Sequence, residues 1–174
     1  LHRHMRTMLA HGSMYGIYNG NLLFHASVPL NDDGTLKEVE ICPGERYAGI
    51  ELMRHISHII CSAFQTDAEA EAKDNAIDYF IYLWSGPDSP LFDKSRMATF
   101  ERYFIKDKET HKETKNAYYH LLENEEVVDN LLREFGLDPE KGHIINGHVP
   151  VHQSEGESPV KCNGKVLVID GGFS

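Results

Sequence analysis

The sequence predicts an α/β fold in which a few short strands are divided by a long helical block. Three observations predict it. Short β-rich runs punctuated by turn residues occupy positions 14 to 41. Helical apolar spacing then takes over from Arg46 and recurs, with breaks, as far as Gly136. Two apolar runs follow, "HIIN" and "VLVI", each leading into glycine and a polar residue.

Residues 1–11 read as a helix, with Leu1, Met5, Met8 and Leu9 on one side and Gly12 as its stop. Met14 to Tyr18 and Leu22 to His25 flank Asn19-Gly20, a strong hairpin signal. A turn at Asp33-Gly34 precedes a short strand ending at Ile41. Ile50, Met53, Ile56, Ile60 and Ala63 recur at helical spacing, which also places Cys61 on a core face. A second helix, capped at Thr66 or Asp67, runs to Trp84, and Gly86, Pro87 and Pro90 break it. Residues 95–105 suggest a short helix. Asn124 caps a clear helix that carries Glu125 and Glu126 in its first turn and stops at Gly136. Strands at Ile144–Asn146 and Val166–Ile169 complete the pattern. Each strand group is too small to fold alone, so residues 46–136 are expected to be a helical insertion within one partial domain, 1–174.

A net charge of −10 disfavours nucleic acid and anionic membrane as partners. The three cysteines, Cys42, Cys61 and Cys162, form no Cys-x-x-Cys pair, which suits a reducing cytoplasm. The chain opens mid-pattern and stops two residues beyond a glycine pair, as expected of part of something longer.

His25, in "LLFHASVP", and His148, in "IINGHVP", each end an apolar strand ahead of a proline turn. A neutral imidazole held there suits a metal ion, although a backbone hydrogen bond would satisfy either residue equally well. Asp170 ends the last strand, where it could line a site, orient a histidine or cap the turn, and Gly171 and Gly172 would allow close approach of a ligand. His55 and His58 share a helix face without a carboxylate in register and read as a surface pair. Arg96, Arg102, Lys106, Lys108, Lys112 and Lys115 cluster among Tyr103, Tyr118 and Tyr119. The cluster is either a phosphate-binding surface or a solvated face balanced by Asp107, Glu109 and Glu113.

The segments "GSMYGIYNGNLLFHASVPL", "YLWSGPDSPLF", "MATFERYFIKDKETHKE" and "HIINGHVPV" through "VLVIDGGFS" resemble class III fructose-1,6-bisphosphatases, in order and over nearly the whole chain. That family belongs to the calcineurin-like metallophosphoesterases. The resemblance implies a partial sandwich of that kind with a large helical insertion. It implies a binuclear manganese site and hydrolysis of the 1-phosphate of fructose 1,6-bisphosphate to fructose 6-phosphate. "FHASVP" and "NGHVPV" match the two later histidine motifs, which implies that His25 and His148 are metal ligands. Ala26 stands where many relatives carry glycine. Asp170, in the family's Asp-Gly-Gly segment, is implied to line the substrate site, and Arg102, Lys106, Lys112 and Lys115 are the candidates for the distal phosphate. The superfamily's earlier motifs, Asp-x-His, Gly-Asp-x-x-Asp and Gly-Asn-His-Glu, do not occur. The chain alone is therefore expected to bind manganese weakly and to be inactive. A homo-oligomer, or association through exposed sheet surface, is also expected. The alternatives are a non-catalytic helical interaction module and a phosphatase for another phosphoester.

Overall fold

The computed structural model describes residues 2–64 and 70–170. The expected cap at Thr66 or Asp67 and the glycines Gly171 and Gly172 lie outside the described residues. In chain order the elements are α1 (His2–His11), β1 (Tyr15–Tyr18), β2 (Asn21–Phe24), β3 (Val39–Cys42), β4 (Glu45–Tyr47), α2 (Gly49–Ala63), α3 (Ala70–Ser85), α4 (Thr99–Phe104), α5 (Ala117–Leu121), α6 (Glu125–Glu134), β5 (His143–Asn146), β6 (Val160–Lys161) and β7 (Val166–Val168).

Five strands form one sheet in the order β1-β2-β5-β7-β6. The hairpin β1–β2 is antiparallel, with Tyr18 opposite Asn21 around the Asn-Gly turn. Asn19 and Gly20 both adopt positive φ, as a tight two-residue connection requires. The centre of the sheet is parallel: β5 pairs with β2 and with β7. Parallel neighbours need long crossovers. The whole of β3, β4 and α2 to α6 lies in the crossover from β2 to β5.

The two faces of this sheet differ. On one, Leu22, Ile144 and Val166 stand in register across β2, β5 and β7, and all three are fully buried. They join Leu52, Met53 and Ile56 of α2 and Val128, Leu131 and Leu132 of α6 in one core. On the other face, Gly16, Leu23, Ile145, Leu167 and Val160 form a continuous row across all five strands. There Leu23 is 36% and Val160 48% exposed. The buried residues of α2 and α6 pack against the first face.

Two expectations are corrected. The helix expected from Arg46 starts at Gly49, because Glu45–Tyr47 pair antiparallel with β3 around the Pro43-Gly44 turn. Cys61 is exposed rather than packed in the core. The deepest positions of α2 are Leu52, Met53 and Ile56, and nine residues past Leu52 is half a turn around the helix, facing away. The Asn124 cap forms as expected, accepting from the amides of Glu126 and Val127.

Candidate metal centre

Three polar residues distant in sequence meet at one sheet edge. His25 directly follows β2, Gly147-His148 follow β5, and Ile169-Asp170 follow β7. These strands are parallel neighbours, so their carboxyl ends open on the same side, where α/β sheets commonly place ligands. Backbone hydrogen bonds lock the loops together. Gly147 donates to the His25 carbonyl at 2.8 Å, Ile169 to Asn146 at 2.8 Å, and Val151 to Asp170 at 2.8 Å.

The imidazoles touch. His25 Nε2 and His148 Nδ1 lie 3.1 Å apart, with ring centroids 4.9 Å apart. His148 has φ +69°, a backbone region that side-chain-bearing residues rarely occupy and that clusters at functional positions. Its Nε2 is buried and has no hydrogen-bond partner among the described residues. Burial, then the neighbouring His25 and Lys94, hold the His148 pKa below its ordinary value, with Phe92 and Asp170 offsetting part of this. The ring is thus kept neutral, the form that binds metal.

The pair fits an ion. Two nitrogens each about 2.1 Å from a shared metal are separated by about 3.0–3.4 Å, depending on the angle at the ion, and the observed 3.1 Å lies within that range. The set is incomplete on its own: no group of three or more His, Cys, Asp or Glu among the described residues is arranged to hold a metal. A hard divalent ion also wants carboxylate oxygens. Asp170 stands beside the pair, its Cβ close to Gly147.

The loops rest on a buried polar layer. Asn146 donates from Nδ2 to the Ala26 carbonyl at 3.0 Å, and the Tyr119 hydroxyl donates to the same oxygen at 3.2 Å. Asp93 is fully buried and accepts from Asn116 at 2.9 Å through one oxygen. Burial raises its pKa to about 6, with Asn116 and Ser27 opposing.

The basic segment is arranged differently. Arg102 lies 3.4 Å and Lys94 3.2 Å from Glu113, and Lys112 lies 2.7 Å from Glu109. Burial disfavours charge on Glu113, but the Ala98 amide, Lys94 and Arg102 outweigh it and hold the pKa below its ordinary value. Arg96 donates to the Lys112 carbonyl at 3.0 Å. Lys106 is exposed and forms no ion pair among the described residues. Lys115 stands apart from the others, with its ammonium 5.9 Å from the centre of the Tyr119 ring, whose hydroxyl reaches the histidine loops. It also bridges through its backbone to Lys94, whose ammonium sits 5.7 Å from the Phe92 ring. Phe92 in turn packs edge-on against His148. Lys94 is therefore near His148, and Lys115 stands beside the tyrosine whose hydroxyl reaches the histidine loops. Lys94 was not singled out in the sequence because "LFDKS" carries no periodic or motif signal. His55 stacks on Tyr47 at 3.6 Å and bonds its own helix backbone, and the exposed His58 plays no part in the pair.

Comparison with known proteins places the chain. The family model for Firmicute fructose-1,6-bisphosphatase matches residues 1–174. Curated proteins named fructose-1,6-bisphosphatase class 3 are 56% identical in Parabacteroides distasonis, 55% in Phocaeicola vulgatus and 54% in Clostridium novyi. Each match covers 99–100% of this chain and 26% of the relative. The chain thus spans about a quarter of the length of these relatives. No solved structure matches it. With the matched segment running from the first residue to the last, the chain belongs to the Firmicute fructose-1,6-bisphosphatase family.

Proposed function

We propose that this chain is part of a fructose-1,6-bisphosphatase and that His25 and His148 are ligands of its divalent metal centre, with manganese as the ion. The observation that carries the proposal is the pair of imidazoles, 3.1 Å apart, at the carboxyl ends of two adjacent parallel strands. Metal ions bound there would supply a water acidified to near neutrality and positive charge facing the phosphoryl oxygens. The chain's own residues do the rest of what is assigned to it. His25 and His148 bind as neutral nitrogen donors. Lys115 presents its ammonium group to the phosphates of the sugar bisphosphate, while Lys94, paired with Glu113 at 3.2 Å, adds positive charge near His148. Asp170 lines the floor beside Gly147. Arg102 and Lys112, paired with Glu113 and Glu109, add little to that surface, and Lys106 supplies long-range charge. The remaining ligands come from outside this chain, which by itself is inactive.

The open apolar row from Gly16 to Val160 supports a further part of this proposal. An apolar sheet face of this extent requires a covering layer. We assign that layer to the second half of a calcineurin-like sandwich, with residues 46–136 as an insertion in it. Freed from that layer, the chain associates with itself through the same face.

The test is hydrolysis by a full-length family protein carrying this segment. After chelation and resupply of manganese, it should release phosphate from fructose 1,6-bisphosphate and leave fructose 6-phosphate. A preference for a phosphoserine peptide or a dinucleoside polyphosphate, or full activity in the chelated protein, would sink the proposal.

A further inference from the structure

We propose that Tyr119 is a positioning residue for the imidazole pair, setting the spacing of His25 and His148 through the two loops that carry them. The proposal rests on the assignment of those histidines as metal ligands. Tyr119 belongs to α5, in the helical block, yet its hydroxyl ends between the two histidine loops. It donates to the carbonyl of Ala26, the residue after His25, at 3.2 Å, and the carbonyl of Gly147, the residue before His148, lies 3.5 Å away. A phenol has one proton to give, so the shorter contact is the bond and the longer one is a neighbour it can alternate with. The hydroxyl therefore straddles both loops at the point where each turns toward its histidine. Burial, helped by Asp93 and Asp170, raises its pKa and keeps it a donor throughout the physiological range.

Its effect is separable from general stability. The Ala26 carbonyl keeps a second donor, Asn146 Nδ2 at 3.0 Å, so removing the hydroxyl strands no buried backbone oxygen. The ring stays packed at 5.3 Å edge-on to Tyr118, which is itself in the core. What is lost is one tie between the helical block and the loops, beside the Ser27 amide to the Pro90 carbonyl and Phe92 against His148, and it is the one that reaches both loops, one of which holds His148 at positive φ. Groups that orient metal ligands from behind typically set affinity by about 10–100-fold.

The experiment compares Tyr119→Phe and His148→Ala with the wild type in a full-length family protein carrying this segment. Manganese affinity is measured by titration, melting temperature without metal, and kcat and KM at limiting and saturating manganese. Tyr119→Phe should weaken manganese binding by about tenfold while the metal-free melting temperature falls by no more than about 4 °C. KM should stay within about twofold, and saturating manganese should restore most of kcat. Wild-type manganese affinity in Tyr119→Phe, with affinity lost in His148→Ala, overturns the positioning role and leaves the ligand assignment standing. Wild-type affinity in both variants overturns both. Weakened binding accompanied by a fall of more than about 4 °C in the metal-free protein would make Tyr119 a structural residue and also overturn the proposal.

Discussion

The edge of the sheet and the basic segment hold the two sets of side chains that stood out in the sequence, and they differ in what the fold does with them. At the edge, His25 and His148 are 123 positions apart and their nitrogens come within 3.1 Å. In the basic segment, charges close in sequence find partners close in sequence: Lys112 with Glu109, and Arg102 with Glu113. Those partners neutralise the segment locally, and the Lys112–Glu109 pair, exposed on both sides, contributes little to stability. Long-range convergence brings together two imidazoles, one of which keeps a buried ring nitrogen without a partner among the described residues, whereas local clustering mostly satisfies itself. Lys115 is the member of the basic set that escapes, because its backbone bridges to Lys94 beside the site.

The contrast can be broken most severely by truncating one member of each region in a full-length family protein carrying this segment. His25→Ala should reduce kcat by at least about 100-fold, the scale expected when a metal ligand is lost, whereas Arg102→Ala should change kcat/KM by less than about twofold. Equal losses in steady-state assays would erase the distinction.

A second test sharpens the contrast between the two sheet faces. The isolated chain should self-associate, and Leu23→Lys, which places a charge in the open row, should weaken that association by about tenfold. Sedimentation that shows the unmodified chain to be monomeric at high concentration would contradict the open-face argument.

Within the basic segment, charge reversal separates neighbours. Lys115→Glu should raise KM for fructose 1,6-bisphosphate by about tenfold, and Lys112→Glu by less than about twofold. If KM is unmoved by Lys115→Glu, that lysine does not hold a phosphate.

The smallest effect is in stability against pH. Asp93 has a pKa of about 6 in the fold against an ordinary 3.8. Between those values the folded protein holds a proton that the unfolded chain has released. The stabilisation is therefore present below the lower value, is lost as pH rises to about 6, and stays lost above. Asp93→Asn keeps an oxygen to accept from Asn116. It should be more stable than the wild type above pH 6, by on the order of 1 kcal/mol, with the advantage shrinking toward pH 4. Denaturation curves that keep the same difference across that range would show that Asp93 does not titrate as described.

Much of the architecture was legible because it is written in period and punctuation. The Asn19-Gly20 hairpin, the Asn124 cap and the apolar runs of β5 and β7 each carry a local signal, and all formed. His25, His148 and Asp170 could be singled out because a polar residue ending an apolar strand is conspicuous. Their meeting could not be read from spacing alone, since it depends on β2, β5 and β7 being parallel neighbours. β4 was missed because Glu-Arg-Tyr lacks an apolar alternation and is held by pairing with β3. Cys61 was misplaced because an apolar stripe read from sequence fixes a helix face only to within a residue or two, and here Leu52 sets the buried side. Lys94 and the role of Tyr119 needed tertiary contacts that no local pattern encodes.

The central claim is that two imidazoles hold one metal centre, and a double-mutant cycle on metal binding tests it most directly. Manganese would be titrated into a full-length family protein carrying this segment, into His25→Ala, into His148→Ala and into the double variant. The account predicts that each single substitution weakens binding by at least about tenfold, and that the double variant loses clearly less than the product of the two, because both groups serve the same ion. Wild-type affinity in either single variant, or losses that multiply independently, would contradict it.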